Sequence, residues 1–174
     1  LDLALGYIER MHLRDVKLEA WPQSIEHYFL LRRAARPAAD TLRIGQPIGW
    51  AEAALQPLCL LTPDMHNRSI VDQAFRSAGA TVTPAIETNS VLTLVLGVVA
   101  GEVCSVLPGA MVAAVRSQRE LEALPLVAPE VTTPIGFMTQ QGVRPSRALE
   151  AALALLRTPQ WQAQVEMHSG ALAA

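Results

Sequence analysis

Thr62, Pro63, Asp64, His66, Asn67, Arg68 and Ser69 gather hydroxyl, carboxylate, imidazole, amide and guanidinium groups in one short stretch. Directly before them, Leu58-Cys59-Leu60-Leu61 has the pattern of a strand covered on both faces, as in a parallel sheet. Thr62-Pro63-Asp64 stops that strand, because Pro offers no N–H to a ladder and Asp favours turns. Asn67 and Ser69 are both good helix caps. Behind them Ile70, Val71, Ala74, Phe75 and Ala78 recur at helical spacing, and Gly79 ends the run. A helix opening at the carboxyl end of a parallel strand points free N–H groups and a positive dipole end into the space above the sheet, which is a seat for an anion. Thr62 and Asn67 could add side-chain hydrogen bonds to a carboxylate or similar anion; turn formation and capping would occupy the same two residues with no ligand. His66 either lines the pocket or faces solvent. If it lines the pocket, anion binding raises its pKa and affinity grows at lower pH. Arg68 is unfavourably placed for the dipole and is expected to reach outward, in a surface ion pair of small value with Asp64 or Asp72. A second helix start follows Glu87, where Thr88-Asn89-Ser90 offers three consecutive capping residues. These either cap only or also touch a ligand.

The elements that position these groups alternate between strand and helix. Leu1 to Tyr7 reads as a buried strand, Ile8 to Gln23 as a mixed, charged stretch that is mostly loop, and Ile25 to Arg33 as a second buried strand. After a polar connection, Trp50 to Leu55 forms a short helix stopped by Pro57. Val82 to Glu87 is strand-like. The helix Val91 to Ala100 is apolar nearly all round, so it should be well buried, and Gly101 ends it. Val103 to Leu107 is a strand, Ala110 to Val115 a short helix, and Leu121 to Val127 a strand expected to pass between lobes. Thr132 to Met138 is the last strand. Pro145 opens a helix whose apolar face is Leu149, Ala152, Leu153 and Leu156, and Thr158-Pro159 restarts a final amphipathic helix toward Ser169-Gly170. This alternation argues for an α/β architecture with parallel sheets. The portion from Leu55 to Val115 reads as β-α-β-α-β-α by itself, one complete lobe inserted between two parts of another.

Composition narrows the function. The chain has 174 residues, a net charge of −2 and 51% hydrophobic residues, which suits one compact domain or two small lobes. Its 14 Lys+Arg are scattered and outnumbered by 16 Asp+Glu, so the basic patch of a DNA-contacting domain is missing. Cys59 and Cys104 lie in apolar runs and read as buried structural thiols. The start lacks a basic n-region, and the longest apolar run is too short to span a bilayer, so a cytoplasmic protein without a membrane partner is expected. No G-x-S-x-G, H-E-x-x-H or phosphate-loop pattern is present. His12, His27, His66 and His168 are too dispersed to read as a metal set, so neither an enzyme nor a cofactor is expected. Leu1 opens directly in a strand pattern without Met, which suggests a fragment.

The ordered set Asp2-Leu3-Ala4-Leu5-Gly6-Tyr7, Tyr28-Phe29-Leu30-Leu31, Trp50-Ala51-Glu52, Leu58 to Arg68, Phe75-x-x-Ala78-Gly79, Glu87-Thr88-Asn89-Ser90, Val99-Ala100-Gly101-x-x-x-Ser105-Val106-Leu107-Pro108 and Leu124-Pro125-Leu126 resembles the effector-binding domain of LysR-type transcriptional regulators. The resemblance implies a type 2 periplasmic-binding-protein fold: two Rossmann-like α/β lobes joined by two crossover strands. Residues 1–48 would give part of the first lobe and the first crossover, 49–122 the second lobe, and 123–174 the return crossover and the rest of the first lobe. It implies a small-molecule site in the cleft between the lobes; the two helix starts suit an anionic effector there, with Thr62, Pro63, His66, Asn67, Thr88, Asn89 and Ser90 expected to face it and Tyr7 and the Thr133-Pro134-Ile135 region completing the set. The plainer alternative at Tyr7 is a core-edge tyrosine, and the Thr133-Pro134-Ile135 region is expected to shape the hinge or the pocket wall. It further implies a homodimer or homotetramer, contact with DNA only through a helix-turn-helix domain outside this chain, and a missing strand–helix–strand portion of about 30 residues or more before Asp2. The helix Arg68 to Ala78 would then lie at the dimer interface and expose apolar surface. A periplasmic solute-binding protein of a transporter shares the fold and is the alternative function.

Overall fold

The computed structural model describes residues 2–10, 17–142 and 144–168. In chain order it forms β1 (Ala4–Tyr7), a 3-10 turn (Ile8–Arg10), β2 (Leu18–Arg33), β3 (Arg43–Ile44), β4 (Ile48–Gly49), α1 (Trp50–Ala53), β5 (Leu58–Leu61), α2 (His66–Ser77), β6 (Ile86–Thr88), α3 (Val91–Ala100), β7 (Cys104–Pro108), α4 (Gly109–Ala114), β8 (Leu121–Val127), β9 (Thr132–Gln140), α5 (Arg147–Leu156) and α6 (Pro159–His168). Two compact units result. One takes the chain up to Glu26 and resumes at Thr132; the other runs from His27 to Val131. The division falls inside β2. His12 and the Ser169-Gly170 end of the final helix lie outside the described residues.

In the first unit β1 pairs antiparallel with β9, Ala4 opposite Met138 and Tyr7 opposite Ile135. The early half of β2 lies on the other side of β9. The Trp21 indole N–H donates to Thr139 Oγ1 at 3.1 Å across that pair. Leu18 to Gln23 is therefore strand, where the sequence reading expects mostly loop. None of these six residues is fully buried, and Pro22 is tolerated because β2 is an edge strand here. Leu5 is 63% exposed, so β1 is half-buried rather than buried. Ser146, not Pro145, sets the start of α5: its Oγ accepts from the Leu149 N–H at 3.2 Å, and Pro145 precedes this cap. Leu149, Ala152, Leu153 and Leu156 turn inward as expected. Trp161 of α6 packs against Phe137 and donates its indole N–H to Gln23 Oε1 at 2.6 Å.

The second unit is a sheet in the order β8-β2-β7-β5-β6, with β3 and β4 on the outer edge of β8. β2 is antiparallel to β7 and β8, while β5 is parallel to both β6 and β7. Leu58-Cys59-Leu60-Leu61 is buried along its whole length because both sheet faces are covered. Leu58 and Leu60 join Tyr28, Trp50, Val71, Phe75 and Val106 on one face. Cys59 and Leu61 join Leu94, Val98, Leu107 and Leu121 on the other. Trp50 meets Phe75 edge-on at 5.2 Å and donates its indole N–H to the Pro129 carbonyl at 3.0 Å, so a fully buried indole leaves no polar atom unmatched.

Three expectations for this unit are corrected. β6 is confined to Ile86–Thr88, since Pro84 cannot donate to a ladder. The helix α3 buries Leu94, Val95 and Val98 but leaves Leu92 67% and Leu96 57% exposed, because a helix in an outer layer has one face to cover. The outward residues of α2 are the polar Ser69, Gln73, Arg76 and Ser77, so the exposed apolar surface expected on that helix lies on α3 instead.

Candidate functional site

The carboxyl ends of β5 and β6 are neighbours in a parallel pair, with Leu61 in register with Thr88. One residue on, the Thr62 N–H donates to the Thr88 carbonyl at 3.0 Å, so the β5–α2 and β6–α3 turns stand side by side. The first turn is closed by the Met65 N–H on the Thr62 carbonyl at 3.0 Å, carrying Pro63 and Asp64 out into solvent. The helix α2 then starts at His66. Met65 is its extended N-cap residue, and no side chain caps it. Asn67 and Ser69 are thus not caps, as the sequence suggests, but first-turn residues. Ser69 Oγ donates to the His66 carbonyl at 2.7 Å and lies 3.5 Å from His66 Nδ1.

The second turn spends its side chains locally. Ser90 caps α3 by accepting from the Thr93 N–H at 3.3 Å, and Thr88 Oγ1 accepts from the Ser90 N–H at 3.1 Å. Asn89 is exposed at the tip between them. Two buried atoms remain without a hydrogen-bond partner among the described residues: Thr62 Oγ1 and Asn67 Nδ2. Leaving such a group unpaired costs about 1–3 kcal/mol. The amide nitrogen can only donate, and the hydroxyl can donate or accept. Beside the positive ends of two helices, the arrangement suits a guest rich in acceptor oxygens.

Arg68 departs from its expected role. It is buried, 7% exposed, and reaches into the fold. Its Nε donates to Asp72 Oδ1 at 2.7 Å, and its Nη1 to Glu87 Oε1 and to the Leu61 carbonyl, each at 2.6 Å. Burial alone would lower the guanidinium pKa. The hydrogen bonds and charges of Glu87 and Asp72 outweigh burial and raise it, so Arg68 stays charged. Glu87 is the residue the sequence reading misses. Its neighbours Thr88-Asn89-Ser90 carry the capping signal, and nothing local ties a carboxylate to an arginine nineteen positions earlier.

Tyr7 and Thr133 belong to the other unit. Tyr7 ends β1 half-buried, and Thr133 is 2% exposed on β9, with Pro134 and Ile135 half-buried beside it. Among the described residues there is no group of three or more His, Cys, Asp or Glu that could hold a metal, and no helix is long and apolar enough to cross a membrane.

The fold is shared with solved regulators. The chain is similar to the CcmR regulatory domain of Synechocystis PCC6803 in complex with 2-PG, with a TM-score of 0.72 at 16% identity, covering 89% of this chain and 71% of that one. It is similar to a C206 mutant of Corynebacterium glutamicum OxyR, with a TM-score of 0.68 at 18% identity, covering 97% of this chain and 50% of that one. It is also similar to the effector-binding domain of QuiR in complex with shikimate, with a TM-score of 0.65 at 15% identity, covering 89% and 69%. The chain therefore spans half the length of the OxyR it matches. Comparison with curated proteins finds no match. The family model for the LysR substrate binding domain matches residues 1–160. An α/β chain with paired units, β-α turns lined by polar residues and this family match belongs to the LysR substrate-binding domains, with their type 2 periplasmic-binding-protein fold.

Proposed function

We propose that this chain is the ligand-sensing domain of a LysR-type transcriptional regulator, and that it binds a small anionic effector at the shelf formed by the β5–α2 and β6–α3 turns. The observation that carries the reading is the pair of unsatisfied buried atoms, Thr62 Oγ1 and Asn67 Nδ2, beside an α2 start that no side chain caps. A guest with acceptor oxygens would satisfy the amide, and the hydroxyl would donate to it. The amides of the first turn of α2 and of α3 would complete its shell. Pro63 and His66 would border the guest on the α2 side, and Asn89 at the tip of the second turn. Thr88 and Ser90 would act by shaping that turn, since their hydroxyls already accept backbone hydrogen bonds. The similarity to a regulatory domain in complex with 2-PG and to one in complex with shikimate supports a small-molecule effector.

In the longer regulator, effector binding would bias the DNA-bound state of a homo-oligomer only by its difference in affinity for the two arrangements. Contact with DNA would run through a domain outside this chain. Calorimetric titration with inorganic phosphate, sulfate and small mono- and dicarboxylates tests the site. At least one of these should bind the native chain, and the double substitution Thr62→Ala, Asn67→Ala should abolish that binding while leaving the circular-dichroism spectrum intact. A double variant that binds the same anion as tightly as the native chain refutes the assignment.

A further inference from the structure

Two of the three groups that Arg68 touches, the Leu61 carbonyl and the Glu87 carboxylate, belong to residues one peptide bond from the shelf, and the third is Asp72 of its own helix. Leu61, whose carbonyl it holds, precedes Thr62; Glu87, whose carboxylate it holds, precedes Thr88; and Arg68 itself follows Asn67. A single buried side chain thereby joins the end of β5, the edge strand β6 and the first turn of α2. The strand β6 needs such a tie. It is three residues long, it closes the sheet on that side, and Ile86 is 43% exposed, so apolar packing does little to fix it. Nor is the guanidinium an anion receptor: its Nε and Nη1 are committed to protein acceptors, and one cation faces two carboxylates.

We propose that Arg68 is the positioning residue of this shelf, holding the β5–α2 and β6–α3 turns in register so that Thr62, Asn67 and the two helix starts meet one guest. The proposal rests on the anion-shelf reading for its consequence, but the clamp itself can be measured without any ligand. A guanidinium is required because only a planar fork serves Leu61, Glu87 and Asp72 together; a lysine ammonium would keep the charge and lose part of the geometry.

The test uses the whole chain in four forms: native, Arg68→Met, Arg68→Lys and Glu87→Gln. Asp72 and Glu87 side chains are 30% and 41% exposed, so they can hydrate once Arg68 is gone, and Glu87→Gln leaves Arg68 in place as a milder second variant. Amide hydrogen exchange reads the clamp. In Arg68→Met the Thr62 amide, bonded to the Thr88 carbonyl, should exchange faster by about tenfold or more, while Leu30 and Val106 amides in the central strands keep their protection. Arg68→Lys and Glu87→Gln should fall between. Sodium sulfate titrated in and followed by amide NMR reads the site: its affinity should weaken by about tenfold in Arg68→Met, the order lost when a group supporting a ligand-contacting residue is removed.

Unchanged Thr62 exchange in Arg68→Met overturns the clamp, whatever sulfate does. Uniform acceleration of every amide overturns it too, because that is a loss of global stability. Faster local exchange with unchanged sulfate affinity overturns the link between clamp and site. A native chain to which sulfate does not bind counts against the anion reading, and the exchange data then still decide on the clamp.

Discussion

Thr62→Val separates a residue kept for stability from one kept for binding. The Thr62 hydroxyl oxygen is buried and unpartnered in this structure, so the unliganded fold carries its desolvation cost without return. Valine keeps the β-branched shape and puts a methyl where the hydroxyl was. A buried hydroxyl without a partner costs about 1–3 kcal/mol, and taking the lower end allows for partial relaxation, so the variant should be more stable by about 1 kcal/mol. With an unfolding entropy of about 2 cal/mol/K per residue, that raises Tm by about 3 °C if all 174 residues unfold together, and by about 5 °C if the unit from His27 to Val131 unfolds by itself. The assay is paired: urea denaturation of the unliganded chain at constant m, and calorimetric titration of whichever small anion binds the native chain. Stability should rise and binding should be lost. A Thr62→Val chain that is less stable than native would mean that the hydroxyl has a partner in solution. One that is more stable yet binds the anion unchanged would remove Thr62 from the site.

Three further outcomes follow from the geometry. Gly136→Ala should destabilise the first unit by about 2–3 kcal/mol in urea, since the new methyl would meet the Trp21 carbonyl oxygen at 2.6 Å and Pro22 Cα at 3.0 Å, both backbone atoms. Gly49→Ala, with nothing within 4 Å, is the matched control, and a Gly136→Ala chain as stable as the control would refute the packing of β9 on β2. Burial raises the pKa of both Cys59 and Cys104 thiols, and the two side chains lie on opposite faces of the sheet, so neither should react with a disulfide reagent at pH 8 until the chain is unfolded; rapid native labelling of either would contradict the burial. Sulfate, whose charge is constant between pH 5 and 8, should bind more tightly as pH falls if His66 borders the guest. An imidazole whose pKa is raised by the bound anion gives full affinity below its free pKa and loses it as pH rises through the bound one. His66→Gln should flatten that profile, and a slope that survives the substitution would exclude His66.

The fold was legible wherever apolar residues came in unbroken runs. Leu58 to Leu61 and Tyr28 to Leu31 are strands because two covered faces demand four or more apolar residues together. Gly79 and Gly101 mark helix ends because both adopt positive φ, 71° and 89°, which side chains disfavour. Legibility failed where coverage is incomplete. The opening of β2, Leu18 to Gln23, has no fully buried residue, and Leu-Glu-Ala-Trp-Pro-Gln offers neither an apolar run nor a clean alternation to mark it as strand. The helix α3 failed in the opposite sense. Its all-apolar composition says nothing about which residues face the sheet, and Leu92 and Leu96 do not.

The site was legible by residue type but not by role, and the reason is physical. Ser, Thr and Asn at a β-α turn have the same local chemistry whether they cap a helix or wait for a ligand, because both tasks ask for one short side chain with a polar tip. What separates the roles is whether a backbone N–H already occupies that tip. At Ser90 and Thr88 it does; at Thr62 and Asn67 it does not. That difference is decided by where α2 starts, and α2 starts at His66, not at Asn67 or Ser69, because Met65 takes the extended position at the end of the tight turn begun by Thr62. The placement of Arg68 follows from the same shift. As a residue inside the first turn its side chain swings inward, toward the end of β5, and only there can it find Glu87. A two-to-four-residue displacement of the helix cap, invisible to propensity, thus leaves one expected cap, Asn67, as an unsatisfied donor and turns an expected surface arginine into the buried tie behind it.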